Sequence, residues 1–427
     1  MFGTSLWFST NGVLKQIEQI WLLSTSDLGL LTNSVQFGFI VGTLLFSVTG
    51  FADKFKPSRI VMLCCFLGAT SNAFIIFEEI PFTFVIFSRL IVGAALAGIY
   101  PIGMKLIISW NPLRAPNTLG LLVGMLVLGS SLPYLIRALG ISFDWQYTVI
   151  LTSGLCYIAG ITIYLMGDGP HLIVNKKPSF RLLNQFSELS KNKKYIASAV
   201  GYFGHMWELY AFWTCVPILI AISVSQHQIK DQEFIISLLS FLIIGLGFIS
   251  CVLGGILAKS LNSSRVASLS LAFSLSICLI YPLLGNHSFF LDLCLLMLWG
   301  FFVISDSPQF SAISASVCPQ HLVGTALTTQ NCIGFSISMI TIFLTTSFYE
   351  SLGLYFVCQA FNTLFWPVVG TFLRLIFVVI LTSFFLYNNV ASPYLLLITM
   401  SSGLIIYGLF ISLSLHYGPW KSHYEQN

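Results

Sequence analysis

The chain is divided into long apolar segments, and their length leaves few folds open. Segments 2–20, 29–50, 59–77, 83–110, 115–136 and 145–166 precede a polar stretch at 167–194. Segments 197–223, 233–258, 266–285, 289–315 and 322–348 follow it. About 20 apolar residues carry a helix across the hydrocarbon core of a bilayer, where every backbone polar group must be paired within the protein. Only 8% of the 427 residues are charged and mean hydropathy is +0.88. A soluble domain carries about a quarter charged residues. The expected fold is therefore an all-α integral membrane protein, with a lipid bilayer as its surroundings.

The polar stretch carries Lys176, Lys177, Arg181, Lys191, Lys193 and Lys194. Lys54, Lys56, Arg59, Arg114, Lys259 and Arg265 lie in loops that alternation puts on the same side. The opposite loops hold Glu18, Asp27, Glu78, Glu79, Asp144, Asp231, Glu233 and Asp292. An excess of lysine and arginine marks the cytoplasmic face, so the central loop is expected there, in a multi-pass protein of the cytoplasmic membrane. The net charge of +4 says nothing of nucleic acid, because the basic residues sit between segments and not on one face, and no nucleic-acid partner is expected. Ten cysteines fall mostly inside apolar segments, without a C-x-x-C pair or a histidine at metal-ligand spacing. Neither a disulfide framework nor a metal or other cofactor is expected. No phosphate loop or nucleophile motif marks an enzyme.

Two short polar loops are related. Thr49-Gly50-Phe51-Ala52-Asp53-Lys54-Phe55-Lys56-Pro57-Ser58-Arg59 has a faded echo in Gly255-Ile256-Leu257-Ala258-Lys259-Ser260-Leu261-Asn262-Ser263-Ser264-Arg265. In each the fifth residue is charged and the eleventh is arginine, and half a chain separates them. Such an echo marks a duplicated bundle, as transporters carry. The expected organisation is an N-terminal bundle at 1–166, a linker at 167–194 and a C-terminal bundle at 195–350. An atypical hydrophobic hairpin and tail follow at 351–427.

The first loop resembles the signature between helices two and three of the major facilitator superfamily, with Asp53, Lys54 and Arg59 at matching positions. Thr49 and Lys56 replace two of its glycines, and Lys259 stands in the echo where an aspartate is common. Arg89-Leu90-Ile91-Val92-Gly93-Ala94-Ala95 resembles the arginine-bearing pattern of helix four. Gly120, Gly124, Gly129 and Pro133 resemble the glycine-rich pattern of helix five. The resemblance covers residues 1 to about 350. It implies two six-helix bundles that rock about a shared central cavity, and a gate formed by Asp53, Arg59, Lys259 and Arg265. Gln359-Ala360-Phe361-Asn362-Thr363 with Pro367 and Arg374 is faintly similar to the final helices of multidrug and toxin extrusion carriers.

Ionisable groups inside membrane spans are costly, so each is a candidate for function. Arg89 and Lys105 in the fourth span are candidates to attract an anion. Tyr202, His205 and Glu208 recur along one side of the seventh span. Asp306 lies in the tenth span, with Phe302, Gln309 and Ile313 on the same face. His205, Glu208 and Asp306 are the expected proton-coupling groups, since histidine changes charge near neutral pH. Asn11, Tyr134, Tyr202, His205, Gln309 and Gln330 join Arg89 and Lys105 as candidate substrate contacts. Tyr134 and Arg137 are candidates for an outer vestibule.

These residues point to a monomeric secondary active transporter for a small organic or inorganic anion. Glu208 and Asp306 equally suit proton-coupled efflux of a cationic or drug-like solute. The same fold would also suit a non-transporting receptor or a decayed carrier. The first segment reaches Lys15 and Glu18 after about 14 apolar residues, so the helix it belongs to is expected to begin before Met1.

Overall fold

The computed structural model describes residues 1–49, 51–110, 115–172, 182–284, 288–319 and 322–352. The expected tail at 351–427 lies almost wholly outside them. Among the described residues, nine helical stretches are long and apolar enough to cross a bilayer. Phe84, Phe87, Leu165, Ile340 and Phe343 stand more than half exposed on their outer faces. In a water-soluble protein such a surface would aggregate; against acyl chains it is the natural outer surface.

The first segment departs from expectation. It is not a helix from 2 to 20 but a chain of tight turns, including 3₁₀ turns at Phe2–Thr4 and Asn11–Val13, followed by α1 (Leu14–Trp21). Backbone bonds run three residues back, as from Ser5 N–H to Phe2 O and from Trp7 N–H to Thr4 O. The sequence explains the tightening. The hydroxyls of Thr4, Ser5 and Ser9 each donate to the carbonyl three residues earlier, in competition with the α-helical ladder. Every side chain from Gly3 to Val13 is buried.

The N-terminal bundle continues with α2 (Thr25–Thr49), the short α3 (Phe51–Lys54), α4 (Pro57–Ala73), α5 (Phe82–Trp110), α6 (Ala115–Leu139) and α7 (Gln146–Met166). Helices α2 and α5 cross with their backbones touching. A Cβ on Gly38 would lie 2.0 Å from Leu90 O, and one on Gly93 would lie 2.0 Å from Val35 O. Small residues at such crossings replace the hydrophobic drive that lipid cannot supply.

Helix α8 (Leu182–Lys191) lies in the linker and packs on the C-terminal bundle. That bundle holds α9 (Lys193–Gln226), α10 (Gln232–Leu261), α11 (Ser263–Leu284), α12 (Phe289–Phe302), α13 (Ser307–Val317) and α14 (Val323–Leu352). The segment expected as one span at 289–315 is interrupted: the helix stops at Phe302 and restarts at Ser307. Asp306 stands at the N-cap position, its side chain making no cap bond, and Pro308 sits in the first turn. Proline lacks the N–H that a continuous helix would use there.

The two bundles meet along α6 with α10 and along α2 with α14. Gly124 faces Phe248, and Asn33 Nδ2 donates to Met339 O at 3.1 Å. The bundle ends bearing α3, α8 and the α10–α11 turn form the linker end; the other is the distal end.

Candidate functional site

Arg89 is fully buried in α5, and its guanidinium closes the N-terminal bundle from within. Nη2 donates to the carbonyls of Leu6 and Trp7, both at 2.8 Å. Nη1 donates to Asn72 Oδ1 at 2.7 Å and to Ser9 Oγ at 3.0 Å. Leu6 O also accepts from Ser9, so Arg89 adds a second bond there and fastens Trp7 O as well. Asn72 in turn donates to Ser153 of α7 at 2.9 Å. Lys105, half-buried on the same helix, stands 16 residues further on, which is about 24 Å at 1.5 Å per residue. The structure therefore does not bring Arg89 and Lys105 to one solute.

The titratable groups of the C-terminal bundle gather around α9. His205 Nδ1 stands 2.8 Å from Asp306 Oδ1, with both side chains almost wholly buried. The two atoms are not aligned as a hydrogen bond, and His205 Nε2 has no partner among the described residues. Proximity and charge join them, so the contact strengthens when the ring carries a proton. Glu208 Oε1 accepts from Trp299 Nε1 at 2.6 Å and from Ser274 Oγ at 2.7 Å. Tyr202 packs on Gly334 of α14, its ring 5.7 Å from that of His205.

The expected single stripe of Tyr202, His205 and Glu208 thus fans out. Residues three apart drift by about 60° per step, so the three turn to α14, to α13, and to α11 with α12. The face expected to join Phe302, Asp306, Gln309 and Ile313 is also broken, because the helix is interrupted within it. Gln309 is buried against Gly254 of α10. Gln330 is buried on α14, where its Oε1 accepts from Ser314 Oγ at 2.5 Å. Asn11 Nδ2 donates to Thr32 Oγ1 at 3.0 Å, within the N-terminal bundle.

The distal end is closed. Arg137 Nε and Nη2 both donate to Glu233 Oε1, the former at 2.7 Å. Gln16 Nε2 reaches the same oxygen at 2.6 Å. Glu233 therefore ties α10 to α6 and α1 across the two bundles. The vestibule expected at Tyr134 and Arg137 is filled, with Tyr134 only 2% exposed.

At the linker end the side chain of Asp53 lies outside the described residues. Arg59, Lys259 and Arg265 are exposed. A capping carboxylate comes from elsewhere: Asp168 accepts from Ser58 N–H at 2.9 Å and from Ser58 Oγ at 3.0 Å, at the start of α4. Gly169 N–H donates to Ser109 Oγ, and His171 N–H to Ser109 O, closing the end of α5. An acid between two glycines directly after a span, Gly167-Asp168-Gly169, was the signal for it in the sequence.

Two helical bundles joined by a linker, with broken helices and buried ionisable groups inside the bundles, are the build of a multi-pass membrane transporter. The family model described as Major Facilitator Superfamily matches residues 1–342, and the chain belongs to that family. The crystal structure of the human organic anion transporter MFSD10 (TETRAN) is similar, with a TM-score of 0.61 at 16% identity. The match covers 87% of this chain and 83% of that one. No curated protein sequence matches the chain.

Proposed function

We propose that this secondary transporter moves a small organic solute by alternating access and couples the movement to protons at His205, Asp306 and Glu208. The observation that carries the reading is the buried pair of His205 and Asp306 at the restart of an interrupted helix. A proton arriving there changes the charge of a site that both packing and backbone can answer. Protonation then favours one arrangement of the bundles over the other. Glu208, held by donors from α11 and α12, is the second proton carrier. The linker face is cytoplasmic in this reading, the protein is a monomer of the cytoplasmic membrane, and Lys105 lies near the cytoplasmic mouth.

An organic anion is the second reading of the substrate. It is favoured by Arg89, whose four hydrogen bonds go to neutral acceptors, and the solved neighbour is titled an organic anion transporter. Against it, those acceptors already occupy both Nη atoms.

The test uses proteoliposomes of the full chain loaded with a pH-sensitive dye and exposed to a panel of amines, carboxylates and polyols. Solute-driven pH change is expected for the parent. Asp306→Asn is expected to abolish it while unlabelled solute still exchanges for labelled solute. Undiminished proton movement in both Asp306→Asn and Glu208→Gln sinks the coupling.

A further inference from the structure

The seam between the bundles holds uncharged polar groups that the fold buries and leaves unpaired. Gln36 of α2 is fully buried, and neither its Nε2 nor its Oε1 has a hydrogen-bond partner among the described residues. The same holds for the ring nitrogens of Trp7 and Trp213, both 0% exposed, and for Asn11 Oδ1. Helix position and ring contacts put these groups in one region. Trp7 lies 5.1 Å from Phe39 and Asn11 bonds to Thr32, so Gln36 sits on α2 between two positions that face the first segment. Tyr210 of α9 touches both tryptophans, with ring centroids 5.6 Å from Trp7 and 5.4 Å from Trp213. The groups sit midway along α2 and α9, at the level where the two bundles meet.

A buried amide with nothing to bind is costly, and replacing it with an apolar side chain of similar size removes that cost. Among the described residues no hydrogen bond calls for an amide at position 36. The charged side chains nearby place most of their polar atoms elsewhere: both Nη atoms of Arg89 face carbonyls and neutral side chains, His205 Nδ1 stands beside Asp306, and Glu208 faces Ser274 and Trp299, while Arg89 Nε and His205 Nε2 have no partner among the described residues. Donors and acceptors without charge, set among aromatic rings, match a solute of the same kind.

We propose that this seam binds a small uncharged solute rich in hydroxyl or amide groups, held against Trp7 and Trp213 and read by Gln36. The proposal rests on the transport reading above and names its substrate class. Closing the bundles around an empty seam leaves these groups unpaired, whereas closing around the solute pairs them. The solute therefore favours the closed arrangement by its differential contacts, which is what a carrier needs to move when loaded.

The experiment measures tryptophan fluorescence and thermal melting of the purified full chain in micelles. The probes are mannitol and N-acetylglucosamine as uncharged solutes, citrate as an anion and tetraphenylphosphonium as a cation. A saturable response is expected from at least one uncharged probe and from neither charged one. Gln36→Leu is expected to raise its half-saturation concentration on the order of tenfold or more, and to raise the melting temperature of the probe-free protein. Gln36→Met is the second variant, should leucine prevent folding, with the same two effects expected. In the dye-loaded proteoliposomes Gln36→Leu is expected to raise the solute concentration needed for a pH change without abolishing it, whereas Asp306→Asn abolishes it, which separates this proposal from the proton reading. No saturable response to either uncharged probe overturns the proposal, as does binding unchanged in both Gln36 variants. A charged probe whose binding depends on Gln36 overturns the substrate class.

Discussion

Replacing Arg137 with alanine is expected to open the distal end. Opening separates α6 from α10, so it must break the contacts of Arg137 and Gln16 with Glu233. The bond from Arg137 Nη1 to Phe143 O stays within the N-terminal bundle and does not oppose opening. Arg137's share of the cross-bundle contact is two charge-assisted hydrogen bonds on one carboxylate oxygen, which in a desolvated interface is worth about 2–5 kcal/mol. Glu233 is 38% exposed, however, so solvent screens the pair and about 1–2 kcal/mol is the appropriate figure. That shifts the open-to-closed ratio about 5- to 30-fold. Ser131 reports it: the side chain is fully buried, faces Gly245 of α10 and lies six residues before Arg137 on α6, about two turns. A cysteine placed there should react with a membrane-impermeant maleimide added on the distal side. Its rate, above the background of the native thiols, should rise about 5- to 30-fold with Arg137→Ala. Glu233→Gln should act in the same direction, and the charge swap Arg137→Glu with Glu233→Arg should restore slow labelling. Equal rates in the parent and both single variants refute the lock, and a swap that fails to restore closure refutes the pairing.

Two further outcomes follow from the N-terminal bundle. Arg89→Lys keeps the charge but cannot span carbonyls, hydroxyl and amide with one ammonium, so a loss of about 2–4 kcal/mol is expected. A fall in melting temperature of the purified protein checks it, and an unchanged value would show that the guanidinium does not hold the first segment. Asp168→Ala removes the carboxylate at the start of α4, at a cost of about 0.5–2 kcal/mol. Faster amide exchange at Ser58 and Arg59 is its signature, with Asp168→Asn in between; equal exchange in all three would remove the cap from the account.

The spans were legible because lipid imposes one requirement on every residue of a crossing segment. The expected segments 83–110 and 145–166 differ by a single residue at one end from α5 and α7. What hydropathy does not carry is how the backbone winds inside the lipid. The first segment and the stretch through 302–307 are apolar enough for helices, yet both are interrupted. For the second, Asp306-Ser307-Pro308 was a readable helix start, since an acid before a proline two positions later belongs at an N-terminus. For the first, the closely spaced Thr4, Ser5, Ser9, Thr10 and Gly12 were the only signal. The candidate site was legible as residue types and not as partnerships. Arg89 binds groups 17 and about 80 positions away, and no local pattern encodes such a meeting. Gln36 was invisible for another reason: an amide in an apolar helix reads as interhelical glue until its neighbours prove unable to pair with it.

The two halves of this chain, related in sequence by their echoed loops, have divided their work. In the N-terminal bundle the buried cation is satisfied by fixed carbonyls, and the linker-end stubs of α4 and α5 are fastened by Asp168, Gly169 and His171. Moving any of these would strand buried polar groups, so this half is built to move as one body. In the C-terminal bundle the ionisable groups meet at the helix interruption, where Val303 to Asp306 lack a continuous helical ladder. On the proposed coupling, a change of charge between His205 and Asp306 would fall beside turns and not within a continuous helix. The same change at Arg89 would meet a cage. On the proposed coupling, conformational response to protons would therefore belong to the C-terminal bundle, with the N-terminal bundle as its more tightly fastened counterpart.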